Sequence, residues 1–70
     1  MNRSAVASSN VSSIGYDTTT QTLEVEFLNG RVYQYYGVPD HMHEQIMQTS
    51  SKGKFLNYYI KESYPYSRVG

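Results

Sequence analysis

The sequence predicts a small α+β domain, a three-stranded antiparallel meander followed by two helices packed on one face of the sheet. Three observations predict it. Residues 22–27 alternate, with Leu23, Val25 and Phe27 apolar and Thr22, Glu24 and Glu26 polar, the period of a half-buried strand. Leu28-Asn29-Gly30 interrupts that pattern ahead of the aromatic run Tyr33, Tyr35 and Tyr36, which marks a hairpin. Beyond Pro39 the apolar spacing becomes helical, with Met42, Ile46 and Met47 in one segment and Phe55, Leu56, Tyr59 and Ile60 in the next.

Residues 1–9 are small and serine-rich without a period, and read as a flexible N-terminal arm ahead of a single domain over 10–70. A first strand is expected over 11–16, with Ile14 and Tyr16 on one face, and Asp17-Thr18-Thr19-Thr20 is polar turn material. Strands over 22–27 and 31–36 follow. The loop between them decides which tyrosines face inward. A two-residue Asn29-Gly30 turn would pair Phe27 with Val32 and set Gln34 on the apolar face. A three-residue loop with Gly30 left-handed pairs Phe27 with Arg31 and puts Tyr33 and Tyr35 beside Leu23, Val25 and Phe27. The second register is preferred, because Arg31 then lies at a strand end where its charge reaches water. Glu24, Glu26, Val32, Gln34 and Tyr36 take the other, solvated face.

Gly37-Val38-Pro39 closes the strand region, since the residue before a proline avoids helical dihedrals. The first helix is expected from Pro39 or Asp40 to Thr49, with Asp40 and Glu44 near its positive end. Ser51 is placed as the cap of a second helix over 52–62, in which Phe55 with Tyr59 and Leu56 with Ile60 form the buried face. Tyr64-Pro65-Tyr66 ends that helix and leads into a short tail.

Seventy residues leave room for one domain. The chain has no cysteine, which excludes a disulfide framework and cysteine-based zinc and favours a reducing, cytoplasmic setting. No apolar stretch reaches the length of a signal peptide core or a membrane span, so no membrane partner is expected. The unusual count is eight tyrosines against two phenylalanines, each tyrosine an apolar body with a polar tip. The net charge of zero hides an asymmetry. Residues 1–47 carry Arg3 and Arg31 against five carboxylates, whereas residues 48–70 carry Lys52, Lys54, Lys61 and Arg68 against Glu62 alone.

Catalytic constellations are not evident. The serines lie in the arm and at turns, and none sits in a nucleophile elbow. His41 and His43, two apart on a helix, point to different faces and do not form a ligand pair. Glu24 and Glu26 share a strand face, which reads as a solvated surface rather than an acid–base pair. The expectation is therefore a non-enzymatic chain with no catalytic residue, no metal and no cofactor. The segment Ser51-Lys52-Gly53-Lys54 has more to say. It places two lysines in the first turn of a helix, against the dipole, a conflict that a bound anion would relieve and that Gly53 would let approach the backbone. The alternative is that both lysines point into water. Lys54, Tyr58 and Lys61 fall at i, i+4 and i+7, a basic–aromatic–basic stripe of the kind that takes single-stranded nucleic acid, and Tyr66 and Arg68 extend it. An ordinary solvated helix face is the alternative there.

The runs Ser8-Ser9-Asn10-Val11, Ile14-Gly15-Tyr16-Asp17 and Leu23-x-Val25-x-Phe27-x-x-Gly30 resemble the KTSC domain family. So do Tyr33-x-Tyr35, Val38-Pro39, Ser51-x-Gly53-Lys54-Phe55-x-Asn57-x-x-Ile60-Lys61 and Tyr64, a match over about residues 6–68. Thr49 departs from the pattern where a small apolar residue is usual, and Leu56 where an aromatic is common. The family occurs at the C-terminus of some lysyl-tRNA synthetases and as stand-alone bacterial and phage proteins. The resemblance implies a binding module, with RNA the ligand that fusion points to, and carries over no catalytic residue. The sequence thus leads to an RNA-binding module, or one for another phosphate-bearing ligand, acting through Ser51, Lys52, Gly53, Lys54, Tyr58, Lys61 and Arg68. The alternative is a homo-oligomeric interaction or sponge protein that binds a protein partner or a nucleotide-like small molecule between aromatic side chains.

Overall fold

The computed structural model describes all 70 residues. The sheet contains five antiparallel strands rather than three, in sequence order: β1 (Arg3–Ala5), β2 (Val11–Asp17), β3 (Thr22–Phe27), β4 (Val32–Tyr35) and β5 (Tyr66–Arg68). Helix α1 (Asp40–Gln48) and helix α2 (Lys52–Phe55) lie between β4 and β5, and α2 runs on into a π-helical segment, Leu56–Ile60. No helix is long and apolar enough to cross a membrane.

The two additional strands are the sheet's edges. The stretch read as an arm contributes β1, in which Arg3 pairs with Gly15 and Ala5 with Ser13. The stretch read as a tail contributes β5, in which Tyr66 pairs with Tyr35 and Arg68 with Tyr33. Both are three residues long and exposed, so backbone pairing rather than burial places them.

The β3–β4 hairpin has the three-residue loop. Val25 pairs with Tyr33 and Leu23 with Tyr35, the Phe27 N–H donates to the Arg31 carbonyl, and Gly30 takes φ +90°. Only a residue without Cβ adopts that conformation freely. Leu23, Val25 and Tyr35 therefore face the core with Val11 and Ile14 of β2, and Val38, Ile46, Phe55, Leu56 and Ile60 close over them. The β2–β3 connection is held by Asp17, whose Oδ1 accepts the Thr19 N–H at 2.9 Å.

The helices follow the predicted stripes, with corrections to the second. Helix α1 starts at Asp40, one of the two expected starts, with Pro39 as its N-cap at an extended ψ of 158°. The Ser51 hydroxyl caps nothing, although Ser51 occupies the N-cap position. The second helix stops at Ile60 and its latter half is π, as in the Lys61 N–H bonded to the Leu56 carbonyl at 2.8 Å. An i→i+5 ladder turns less per residue than an α-helix. Leu56 and Ile60 are buried as expected, but Tyr59 is 55% exposed and packs on the outside of Phe55, ring centroids 4.9 Å apart.

The second sheet face is not simply solvated. Glu24 is buried there, receiving the Arg3 guanidinium and the Gln34 amide at 2.8 Å, while Ser13 donates to Glu26 at 2.9 Å. Strand β1 makes this possible by laying Arg3 across Gly15.

Candidate functional site

Most of the core face is covered by the helices; toward the β3–β4 loop and β5 it opens into a cleft. The hairpin register sends Phe27, Tyr33 and Tyr35 to that side, and β5 adds Tyr66 opposite Tyr35. The four rings contact one another: Phe27 meets Tyr33 edge-on at 5.8 Å, and Tyr66 lies 6.0 Å from Tyr33 and 5.9 Å from Tyr35. Arg31 and Asn29 enter from the loop and Lys61 from the end of the π segment, its Nζ 5.3 Å from the Phe27 ring centroid. The cleft measures about 360 Å³. Neither Arg31 nor Lys61 has a carboxylate partner, since both ion pairs of the chain belong to Arg3. Burial among the rings pushes the Tyr35 hydroxyl up to about 12, with Tyr33 and Tyr66 adding to it.

A second cleft of about 300 Å³ adjoins the first and shares Phe27, Asn29 and Lys61 with it. Its other walls are Leu28 of the β3–β4 loop and a mostly polar set: Ser9 and Asn10 before β2, Gly53 in α2 and Asn57 in the π segment. The Ser8 hydroxyl accepts the N–H groups of Asn10 and Val11, both at 3.2 Å, and fixes the turn that presents Asn10.

The residues expected to bind are not brought together. Lys52 is buried, and its Nζ donates to the carbonyls of Thr49 at 2.6 Å and Met47 at 3.5 Å, so it caps the C-terminus of α1 instead of waiting for an anion. This corrects both readings of that lysine, for it points neither to a ligand nor into water. Gly53 lies against the Asn10 amide, where a Cβ would stand 2.8 Å from Nδ2; its openness is used by a side chain of the same molecule. Ser51 and Lys54 are exposed, and Tyr58 is 78% exposed. The π turn takes Lys61 off the line of Lys54 and Tyr58 and sets it over Phe27. Arg68 donates from Nε to the Gly70 carbonyl at 2.8 Å. Of the seven expected residues, Lys61 alone lines the aromatic cleft, and Lys61 and Gly53 line the polar one.

Phe27, Tyr33, Asn10 and Asn57 fall within the motif runs and Tyr66 on the extended stripe, but none of them, nor Arg31 and Asn29, is among the expected binding residues. One signal was present: the three-residue loop already placed Arg31 at the margin of a face carrying Phe27, Tyr33 and Tyr35. On the opposite side of the fold the histidines stay apart, His41 exposed and His43 stacked on Tyr16 at 4.6 Å. The Tyr16 hydroxyl donates to the Val38 carbonyl and faces Asp40 Oδ1 at 3.0 Å; burial and that carboxylate push it up to about 12.

Comparison with known proteins agrees with this architecture. The KTSC domain model matches residues 7–64. A crystal structure of a KTSC domain protein from Yersinia pestis superposes with a TM-score of 0.92 at 40% identity, over 99% of this chain and 97% of the other. An uncharacterized protein of Stutzerimonas stutzeri is 39% identical over 70 residues, 99% of each chain. A lysine–tRNA ligase of Trichormus variabilis is 39% identical over 54 residues, which are 77% of this chain and 10% of the ligase. The chain thus spans a tenth of the ligase's length, and it belongs to the KTSC domain family.

Proposed function

We propose that this protein is a small non-enzymatic module that binds single-stranded RNA in the aromatic cleft. One observation carries the reading: four contacting rings share an open cleft with two cations that no carboxylate neutralises. Bases stack on aromatic faces whatever their sequence, and the phosphates that accompany them need positive charge nearby. The lysine–tRNA ligases among the relatives, which by name act on tRNA, support an RNA rather than a DNA ligand.

The test separates the cleft from the exposed helix face. Affinity for a short single-stranded RNA should fall with salt, with a log–log slope of about −1.4 if two phosphates are neutralised. An Arg31→Ala, Lys61→Ala double variant should bind roughly tenfold more weakly and with a shallower slope. Lys54→Ala should bind as the parent does. Equal losses from Lys54 and Lys61 would return the site to the helix stripe, and an unaffected double variant would end the proposal.

A second reading, self-association or capture of a protein partner, draws on Tyr58 and Tyr59, adjacent in sequence and 78% and 55% exposed. Sedimentation at high concentration tests it: dimerisation that Tyr58→Ser abolishes supports this reading, and a strict monomer removes the self-association arm.

A further inference from the structure

We infer that the two adjoining clefts take successive nucleosides of one RNA strand, with the phosphate that joins them held on Lys61. This rests on the reading above and adds the site size and the chemistry of the second position. In a nucleic-acid strand the charged phosphate lies between two nucleosides. Here the clefts have a common wall, and its charged member is Lys61, tethered over the Phe27 ring at 5.3 Å.

The two clefts differ in what they offer. The first has four rings and suits a stacked base. The second is lined by Asn10, Asn29 and Asn57, whose amides each carry donors and an acceptor. Hydrogen bonding within the chain uses the Asn10 backbone N–H and the Asn29 Oδ1, which accepts the Arg31 N–H at 3.0 Å. The Asn10 and Asn57 amides are left for a ligand. Unpaired amides match a base edge and, above all, a ribose 2′-hydroxyl, which both donates and accepts. Gly53 helps to shape this wall, because any larger residue would displace the Asn10 amide. With Asn10, Asn29 and Asn57 beside Phe27 and Leu28, the second position offers mainly hydrogen bonding where the first offers mainly stacking. Peptides also bond to asparagine amides, but the two unneutralised cations favour a phosphodiester strand over an uncharged peptide.

The experiment compares four probes by amide chemical-shift titration of the full chain: adenosine monophosphate, the ribodinucleotide ApA, its deoxy counterpart and an acidic tetrapeptide. ApA should bind at least about tenfold more tightly than the mononucleotide and several-fold more tightly than the deoxy form, with shifts at Asn10 and Asn57 that the mononucleotide does not produce. Asn57→Ala, a change at an exposed residue, should reduce ApA to the affinity of the mononucleotide and leave the latter unchanged. Tyr66→Ala should weaken both. Mononucleotide binding at the rings with no gain for ApA would overturn the two-position inference alone. Absence of binding by every nucleotide, or preference for the tetrapeptide, would overturn the RNA reading with it.

Discussion

Glu24 and Lys52 show how a charge becomes buried in so small a domain. Burial by itself would raise the Glu24 carboxyl, but hydrogen bonds from Gln34 and Arg3, with the arginine's charge, outweigh it and hold Glu24 below the usual carboxylate range. The unfolded chain therefore takes up that proton at a higher pH than the folded one. The pair's contribution is complete above the unfolded value near pH 4.5 and is lost as the pH falls through the lower folded value. Glu24→Gln should cost about 1–2 kcal/mol at pH 7, the partial exposure of Arg3 keeping the figure modest, and should flatten the acid side of the stability profile. Urea denaturation between pH 3 and pH 7 checks this; an equally steep acid limb in the variant would assign it to other carboxylates. Lys52 makes a complementary test. Its ammonium satisfies carbonyls at the end of α1, so Lys52→Met should lower stability by about 1–2 kcal/mol while RNA affinity is unchanged. A loss of affinity without a loss of stability would restore Lys52 to the binding surface.

Among the elements, legibility in the sequence followed burial. Strands β2, β3 and β4 and the helix stripes are periodic because half of each faces the core, and Gly30 after Leu28-Asn29 marked the loop that sets their register. The edge strands β1 and β5 bury no side chain, so Arg3-Ser4-Ala5 and Tyr66-Ser67-Arg68 carry no apolar signature. The π segment was hidden for a different reason. Leu56 and Ile60 are both buried in it, as they would be in an α-helix, and only the positions of Tyr59 and Lys61 reveal the wider turn. The candidate site was legible only in part. Lys61 and Tyr66 stand out in the sequence as a cation and an aromatic. Their meeting with Phe27, Tyr33 and Arg31 depends on β5 and the π turn, which no apolar period shows. Gly15 offers a test of the β1 edge. A Cβ there would stand 2.6 Å from the Asn2 carbonyl oxygen, a backbone atom that has to move. Gly15→Ala should destabilise by about 1–3 kcal/mol and should remove hydrogen-exchange protection from Arg3–Ala5 while β3 keeps its own. Protection unchanged at Arg3–Ala5 would mean that the strand accommodates the methyl group in place.

For the molecule as a whole, the zero net charge and the small core set the terms on which it binds. A chain without excess positive charge has little general attraction for polyanions, so affinity has to come from a local site, and duplex DNA, whose bases are already stacked, should bind much more weakly than single-stranded RNA. Ten buried residues form the core of a 70-residue chain with no disulfide, a size class in which stability is marginal. Any ligand that binds only the folded state then has a large thermal effect. At one hundred times its dissociation constant a ligand adds about 2.7 kcal/mol, and in a domain this small each kcal/mol raises the melting temperature by roughly 4–8 °C. Saturating single-stranded RNA should accordingly raise Tm by about 10–20 °C. A duplex of the same length should leave Tm almost unchanged. The double variant Tyr33→Ala, Tyr66→Ala should lose the RNA-dependent increment even though its own starting Tm is lower, because the measure is the shift within each protein. A full RNA-dependent shift in that variant, or equal shifts from duplex and single strand, would place binding outside the aromatic cleft.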